Sequence, residues 1–285
     1  MRFAFYGTNI MKQRTIKNTV ALEGIGLQTG SRTRLTFKGS SAGSGIEFVR
    51  TDLADRPSLN LRSIDLTGSA SRERRTALSI GPMEIQTIEH LLAALSGLSI
   101  DNIIVELDNV ELPGLDGSAL SFTEAIKKAG IVEQDEPRKV LKIEEPIWVR
   151  EKDSFLGVFP GEGFNVSYTL SYERPALGTQ YFSADITEEN FVKEIAPART
   201  FCLEEEAAEL LKRGLGKGAN YENTLVMGKS GPLNNKLRFP NEPVRHKVLD
   251  LIGDLYLLGM KIEGNVVAIK SGHKLNMEMV KKLRR

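Results

Sequence analysis

The sequence predicts an α+β fold of two domains facing each other, each a sheet with helices on one side. Three observations carry this. Strand-like alternation and helical spacing follow one another along the chain rather than filling it with one period. A charged, proline-bearing stretch, "EQDEPRK" at 133–139, divides it near the middle. The two parts also repeat one pattern: strands, a helix that begins with a histidine, a buried strand, a glycine turn and a second helix.

The elements follow in order. "TIKNTVALEG", "RTRLTFKG" and "GIEFVR" alternate in the strand manner between Gly and Ser clusters, with "GIGLQTG" as a glycine-rich turn. Residues 87–98, "TIEHLLAALSGL", place apolar side chains at helical spacing, and Gly97 falls near the end. "DNIIVEL" reads as a buried strand, and "LDGSALSFTEAIKKAG" as a turn, a second helix and a glycine stop. Beyond the 133–139 linker the strand signal restarts with "VLKIEEPIWVR", "FLGVF" and "FNVSYTLSY". Residues 187–213 read as helical pieces broken by "APARTF". "GLGKGANYENTLVMG" is a glycine-rich loop before a short strand, and "GLGKG" is also compatible with a phosphate cradle. A long helix, the strand "GNVVAIK" and "SGHKLNMEMVKKL" complete the second copy.

Composition bounds the function. At 285 residues, with 41% apolar and 26% charged side chains, the chain has the size of two soluble domains. Lys and Arg number 38 against 37 Asp and Glu, so there is no bulk basic field to gather nucleic acid. The single cysteine, Cys202, excludes an intramolecular disulfide framework and suits a reducing cytoplasm. No apolar run approaches the ~18 residues of a transmembrane segment. "MRFAFYGTNIM" is too short for a secretory signal, and Met11 is a candidate start, so residues 1–12 are read as an N-terminal extension.

The helix within "FPNEPVRHKVLDLIGDLYLLG", 239–259, holds the central question. Its Val, Leu and Ile content exceeds what one amphipathic face needs, yet it carries His246, Lys247, Asp250 and Asp254. Ionisable groups on such a helix must be paired, wet or bound to something. His246 and Asp250 stand at i and i+4, one turn apart on one face, so both can reach one ion. His90 would arrive from the other domain as a third ligand, which suits zinc with a fourth position left for water. Glu89 beside it is placed as a general base. The plainer readings stand alongside: a partly buried histidine at a helix start, or a His–Asp hydrogen bond. The residues by themselves support a metal site or an acid–base site.

"TIEHLLAAL", "LDGSA", "ARTFC", "GLGKG", "NEPVRHKVLDLIGDLYLLG" and "KSGHKLN" together resemble the UDP-3-O-acyl-N-acetylglucosamine deacetylase family, LpxC, from about residue 13 to the C-terminus. The resemblance implies two β-α-α-β domains, tandem two-layer sandwiches packed face to face around an active site. It implies a zinc-dependent hydrolase that removes the N-acetyl group from a UDP-linked 3-O-acylated glucosamine, the committed step toward lipid A. Residues 13–135 would form the first domain, contributing Glu89 and His90. Residues 136–285 would form the second, contributing His246, Asp250 and His273, with an insert at about 200–229 as a passage for the acyl chain. The Ser- and Arg-rich stretch 39–80 would hold the first-domain insert.

Carried over residue by residue, His90, His246 and Asp250 match the zinc ligands, a set that also admits Fe2+. Glu89 matches the general base, and His273 the cationic histidine that stabilises the oxyanion and protonates the leaving amine. Asp254 matches the carboxylate that orients His273, and Thr200 the hydroxyl at the oxyanion. Phe201 would pack on the sugar and Lys247 reach the polar head; read without the motif, Thr200 and Phe201 are turn and core. A monomer is expected, with transient contact at the inner membrane compatible with an amphiphilic substrate.

Three departures stand out. Gln28 occupies the histidine position of the family's Gly-x-Gly-Leu-His-(Thr/Ser)-Gly turn, which is expected to lower activity or alter substrate contacts. Gly114 replaces a bulkier residue and is expected to loosen the loop before Asp116. The end at Arg285 implies an absent or shortened degradation tail. Two other classes remain: a non-catalytic UDP-sugar or lipid-binding protein with a retained metal site, and a scaffold with a structural metal. The second leaves Glu89 and His273 beside the metal without a purpose.

Overall fold

The computed structural model describes residues 11–64, 71–72, 74–81 and 83–284. Among these residues, ten strands and two helices form the first half. They are β1 (Lys12–Ile16), β2 (Val20–Ile25), β3 (Arg32–Gly39), β4 (Ile46–Arg50), β5 (Ser58–Asn60), β6 (Ser71–Arg72), β7 (Arg75–Ile80), β8 (Met83–Gln86), α1 (Glu89–Gly97), β9 (Ile103–Leu107), α2 (Leu120–Ala129) and β10 (Ile131–Pro137). The second half holds β11 (Val140–Lys142), β12 (Ile147–Glu151), β13 (Ser154–Phe159), β14 (Phe164–Ser171), β15 (Thr179–Asp185), α3 (Glu188–Asn190), β16 (Phe201–Leu203), α4 (Glu204–Lys212), β17 (Leu225–Met227), α5 (Glu242–Leu255), β18 (Lys261–Ile269) and α6 (His273–Leu283).

Each half builds one main sheet, and the two share a topology. The first runs β2-β3-β9-β4-β5; the second runs β12-β13-β18-β14-β15, with β11 added along β18. In both, the strand after the helix that carries the histidine, β9 after α1 and β18 after α5, enters the middle, parallel to one neighbour and antiparallel to the other. The repeat read from the sequence is therefore a repeat of topology. In β3, Thr33, Leu35 and Phe37 are buried between more exposed neighbours, and β18 alternates in the same way. One face of each sheet thus meets helices while the other meets solvent.

The helices α1 and α5 pack against each other between the sheets, and one apolar core runs through both halves. Gly253 makes that approach possible: a Cβ there would lie 2.0 Å from the Glu89 carbonyl oxygen. Gly97 similarly admits the Phe191 ring, which a Cβ would meet at 2.1 Å. The α+β expectation is met.

Several local readings change. The charged segment expected to be a linker is mostly strand, since 131–137 pair with β1 in a two-stranded ribbon. Lys12, expected in the extension, already opens that ribbon, and residues 1–10 lie outside the described ones. "VLKIEEPIWVR" is two strands, β11 and β12, because Pro146 lies between them and offers no N–H to a ladder. Strands β15 and β16 show no clear alternation in sequence and emerge only in the fold. Within 39–80, β4 and β5 belong to the main sheet, while β6 and β7 form a separate small one with β8, just beyond the stretch; residues 65–70 and 73 lie outside the described ones.

Candidate active site

Two helices, packed through Gly253, bring the polar side chains of the two halves together. Glu89 and His90 occupy the first two positions of α1, and Asn241-Glu242-Pro243 starts α5, whose next turns carry His246, Asp250 and Asp254. Pro at a helix start costs nothing, since its missing N–H has no partner there anyway. The potential ligand atoms of His90, His246 and Asp250 all lie within 4.8 Å of one another, and all three residues are buried. Asp250 Oδ1 stands 3.3 Å from His246 Nε2 and 3.7 Å from His90 Nε2.

The donor set suits a cation. Among the described residues Asp250 Oδ1 is buried without a hydrogen-bond partner, an arrangement that costs free energy unless something positive fills it. Asp250 Oδ2 accepts from Lys247 Nζ at 2.5 Å. His246 Nδ1 sits 3.0 Å from the Ala198 carbonyl, which fixes the proton there and leaves Nε2 as a lone pair. Burial pushes His90 down to about 3 and lowers His246, so both are neutral imidazoles at pH 7. Burial opposes the charge on Asp250, yet His246, Lys247 and His273 hold it below the usual carboxylate range.

Glu89 and His273 flank this cluster. Burial raises Glu89 to about 8. Among the described residues its carboxylate has one donor, the Thr76 N–H at 3.1 Å. Burial also opposes the charge on His273, but Asp254 and Asp250 outweigh it and raise the imidazole to about 9. His273 Nδ1 lies 2.8 Å from Asp254 Oδ2, and Nε2 lies 3.8 Å from Asp250 Oδ2. Asp254 is held in turn by Thr76 Oγ1 at 2.5 Å and Asn276 Nδ2 at 2.8 Å.

A cavity of about 870 Å³ opens over these groups. Thr200, Phe201, Lys247, Glu89, His90, His246, Asp250 and His273 line it, so every expected metal, catalytic and substrate residue reaches it except Asp254, which lies behind His273. Phe201 stands edge-on to His246, ring centres 6.4 Å apart, and to Tyr172 at 6.1 Å. Helix α4 and strand β17 supply a more apolar wall through Ala207, Leu210, Leu211 and Val226.

Sequence reasoning misses Thr76 and Asn276. Asn276 lies one turn beyond His273, inside the "SGHKLN" motif, where nothing local gives it a role. Thr76 is an ordinary β residue with no local signal; only tertiary packing brings it to Asp254 and Glu89.

The glycine-rich loop and the departures also resolve structurally. In "GLGKG" the amides of Gly216, Lys217 and Gly218 donate to Gln28 Oε1, Gln28 O and Leu27 O, so they are committed to the first half rather than to a phosphate. Gln28 thus braces two loops at the cavity wall. Gly114 is not a loose point: a Cβ there would meet Leu27 Cγ at 2.3 Å, so Leu27 fills the space a side chain would take.

The family profile described as UDP-3-O-acyl N-acetylglycosamine deacetylase, LpxC, matches residues 13–285. The chain is 43% identical over 274 residues to the UDP-3-O-acyl-N-acetylglucosamine deacetylase of Chlamydia felis, covering 95% of this chain and 96% of that one. It is 40% identical over 278 residues to the deacetylase of the same name from Trichormus variabilis, covering 96% and 98%. It is 39% identical over 308 residues to the bifunctional enzyme LpxC/FabZ of Chlorobaculum tepidum, covering 97% of this chain but 65% of that longer protein. With a match over nearly its whole length, the chain belongs to the LpxC family of deacetylases.

Proposed function

We propose that the protein is a zinc-dependent amidohydrolase that releases acetate from UDP-3-O-acyl-N-acetylglucosamine, the committed step of lipid A biosynthesis. The observation that carries this reading is the buried Asp250 Oδ1, unpartnered among the described residues and facing two neutral imidazoles at the wall of the cavity. His90, His246 and Asp250 would hold the ion, Zn2+ with Fe2+ as the alternative that the same donors accept. When bound, the ion supplies a water of pKa near ~7 and polarises the amide carbonyl.

The remaining work falls to the chain. Glu89, as carboxylate, takes the proton of the attacking water; a divalent cation next to it favours that charged form and draws its pKa below the value burial alone sets. His273 keeps its proton up to about pH 9 because Asp254 and Asp250 outweigh the cost of burial. It stabilises the developing oxyanion with Thr200, then gives its proton to the amine, which leaves poorly as an anion. Asp254 orients the ring. Phe201 packs on the sugar and Lys247 serves the substrate's polar head, while the apolar wall from α4 takes the acyl chain. We assign residues 13–135 and 136–285 as the two domains, a division supported by the pairing of each main sheet within its own half. No helix among the described residues is long and apolar enough to cross a membrane. A cytoplasmic monomer that touches the inner membrane transiently fits this reading.

The test is acetate release from the UDP-linked 3-O-acyl sugar by metal-stripped protein, with and without added zinc. Zinc-dependent release is expected, with kcat/KM bell-shaped in pH: rising as Glu89 loses its proton and falling as His273 loses its own. Well-folded, zinc-loaded protein that binds the sugar without releasing acetate would replace the hydrolase by a binding protein.

A further inference from the structure

The first half contains a buried carboxylate that the proposed chemistry does not use. Glu111 is 0% exposed, and among the described residues no cation pairs with it. Four neutral donors surround it instead. Oε1 accepts from Gln28 N at 2.9 Å and Thr87 Oγ1 at 2.8 Å; Oε2 accepts from Thr29 N and Thr29 Oγ1, both at 2.7 Å. Gly26 leaves the room for this, since a Cβ there would lie 2.4 Å from Glu111 Oε2. A carboxylate so placed is well satisfied but holds its donors to narrow positions.

Both groups of donors lead to the cavity. Thr87 has φ of +59°, a left-handed conformation that a β-branched residue adopts only when its surroundings impose it. Its hydroxyl is on Glu111, and its N–H donates to Thr76 O at 2.9 Å. Thr87 stands two residues before Glu89, so its backbone sets where α1 begins; Thr76, the residue it binds, donates its own N–H to Glu89. On the other side, Gln28 and Leu27 accept the amides of residues 216–218 from the second half. The two glycine-rich loops meet backbone to backbone there: a Cβ on Gly218 would lie 2.2 Å from Gly26 O.

We propose that Glu111 is a positioning residue that ties the clasp between the 27–29 turn and the 216–218 loop to the placement of Glu89. One carboxylate fixes the strained start of the helix that carries the base and the turn that holds the second half's loop against the cavity. Its kinetic consequence rests on the deacetylase reading; its structural consequence does not.

The test uses full-length, zinc-loaded protein and four forms: wild type, Glu111→Gln, Thr87→Val and Thr87→Ser. A glutamine keeps the shape but points an NH2 at one pair of donors, so at least one backbone N–H of the turn loses its acceptor. Val keeps the shape of Thr87 without its hydroxyl; Ser keeps the hydroxyl. Displacing a base by about an ångström costs on the order of 100-fold in rate. We expect kcat to fall about 10- to 100-fold in Thr87→Val with KM little changed, and Thr87→Ser to restore it. Glu111→Gln should lower kcat similarly and also raise KM, with faster amide hydrogen exchange at Gln28, Thr29 and 216–218. Equal losses in Thr87→Val and Thr87→Ser, or wild-type kcat in Glu111→Gln, would overturn the inference. If wild type itself releases no acetate, the deacetylase reading fails, and exchange decides alone: unchanged protection at 216–218 in Glu111→Gln rejects the coupling, and lost protection supports it.

Discussion

Glu89 and Glu242 occupy the same place in the two halves: each is the first residue of the helix that precedes its sheet's central strand, and each is buried, at 2% and 0% exposure. Their surroundings are opposite. Glu242 is held by Arg199, whose backbone N–H and Nε lie 3.0 and 2.9 Å from Oε1, and by the Arg238 N–H at 2.6 Å from Oε2. Among the described residues Glu89 has the one neutral N–H of Thr76 from elsewhere in the fold, and burial drives it toward its protonated form. A buried carboxylate with a full set of donors and a guanidinium joins elements together. One left short of donors beside a cavity is ready to exchange a proton. Both helices begin with a buried acid, and it is the partners of the two that differ.

Exchanging each acid for its amide should separate these roles. Glu89→Gln should lower acetate release by about 100- to 10,000-fold, the usual worth of a general base, while thermal stability holds or rises because a poorly satisfied buried acid is gone. A variant that loses stability and keeps its rate would reverse the assignment. Glu242→Gln should do the opposite. Breaking a buried ion pair leaves the Arg199 guanidinium uncompensated and costs about 3–5 kcal/mol, read in denaturant melts, with the folded fraction still active.

Smaller effects sharpen the comparison. Gly253→Ala puts a methyl group against the Glu89 carbonyl and should cost about 1–3 kcal/mol, with weakened zinc retention in dialysis because α1 carries His90 away from α5. Unchanged zinc retention would mean that the helices can separate without disturbing the ligands. In metal-stripped protein, His273 titrates near 9 when folded, above the ~6.5 of a free imidazole. Its contribution to stability is therefore full below about 6.5 and is lost as pH rises through about 9. The melting temperature of wild type should fall toward that of His273→Gln across this window, and parallel curves would argue against the Asp254 pair. The smallest change is expected from Gln28→Ala, which removes the acceptor of the Gly216 N–H and should cost about 0.5–1.5 kcal/mol in a denaturant melt.

Much of the fold is legible in the sequence because periodicity is a local property. The alternation in "RTRLTFKG" and the helical spacing after Thr87 each report which face meets the core, and two copies of the pattern imply two sheets. The charged 133–137 segment misleads for the same local reason: its side chains look like a linker, but its backbone pairs with β1, a partner more than a hundred residues away. The i, i+4 spacing alone puts His246 and Asp250 on one face of their helix. It cannot bring His90 to them, since that depends on Gly253 letting two helices touch.

By itself, then, the sequence determined the halves, their helices and the stripe of ionisable groups along α5, because a side chain's direction follows from the backbone period of its own segment. It also carried the family's motifs. Only the tertiary structure decided that Thr76 reaches both Glu89 and Asp254, that Glu111 gathers four donors, and that "GLGKG" spends its amides on Gln28 and Leu27. Whether a buried acid is satisfied depends on donors brought from distant segments, and no local pattern in the chain encodes that sum.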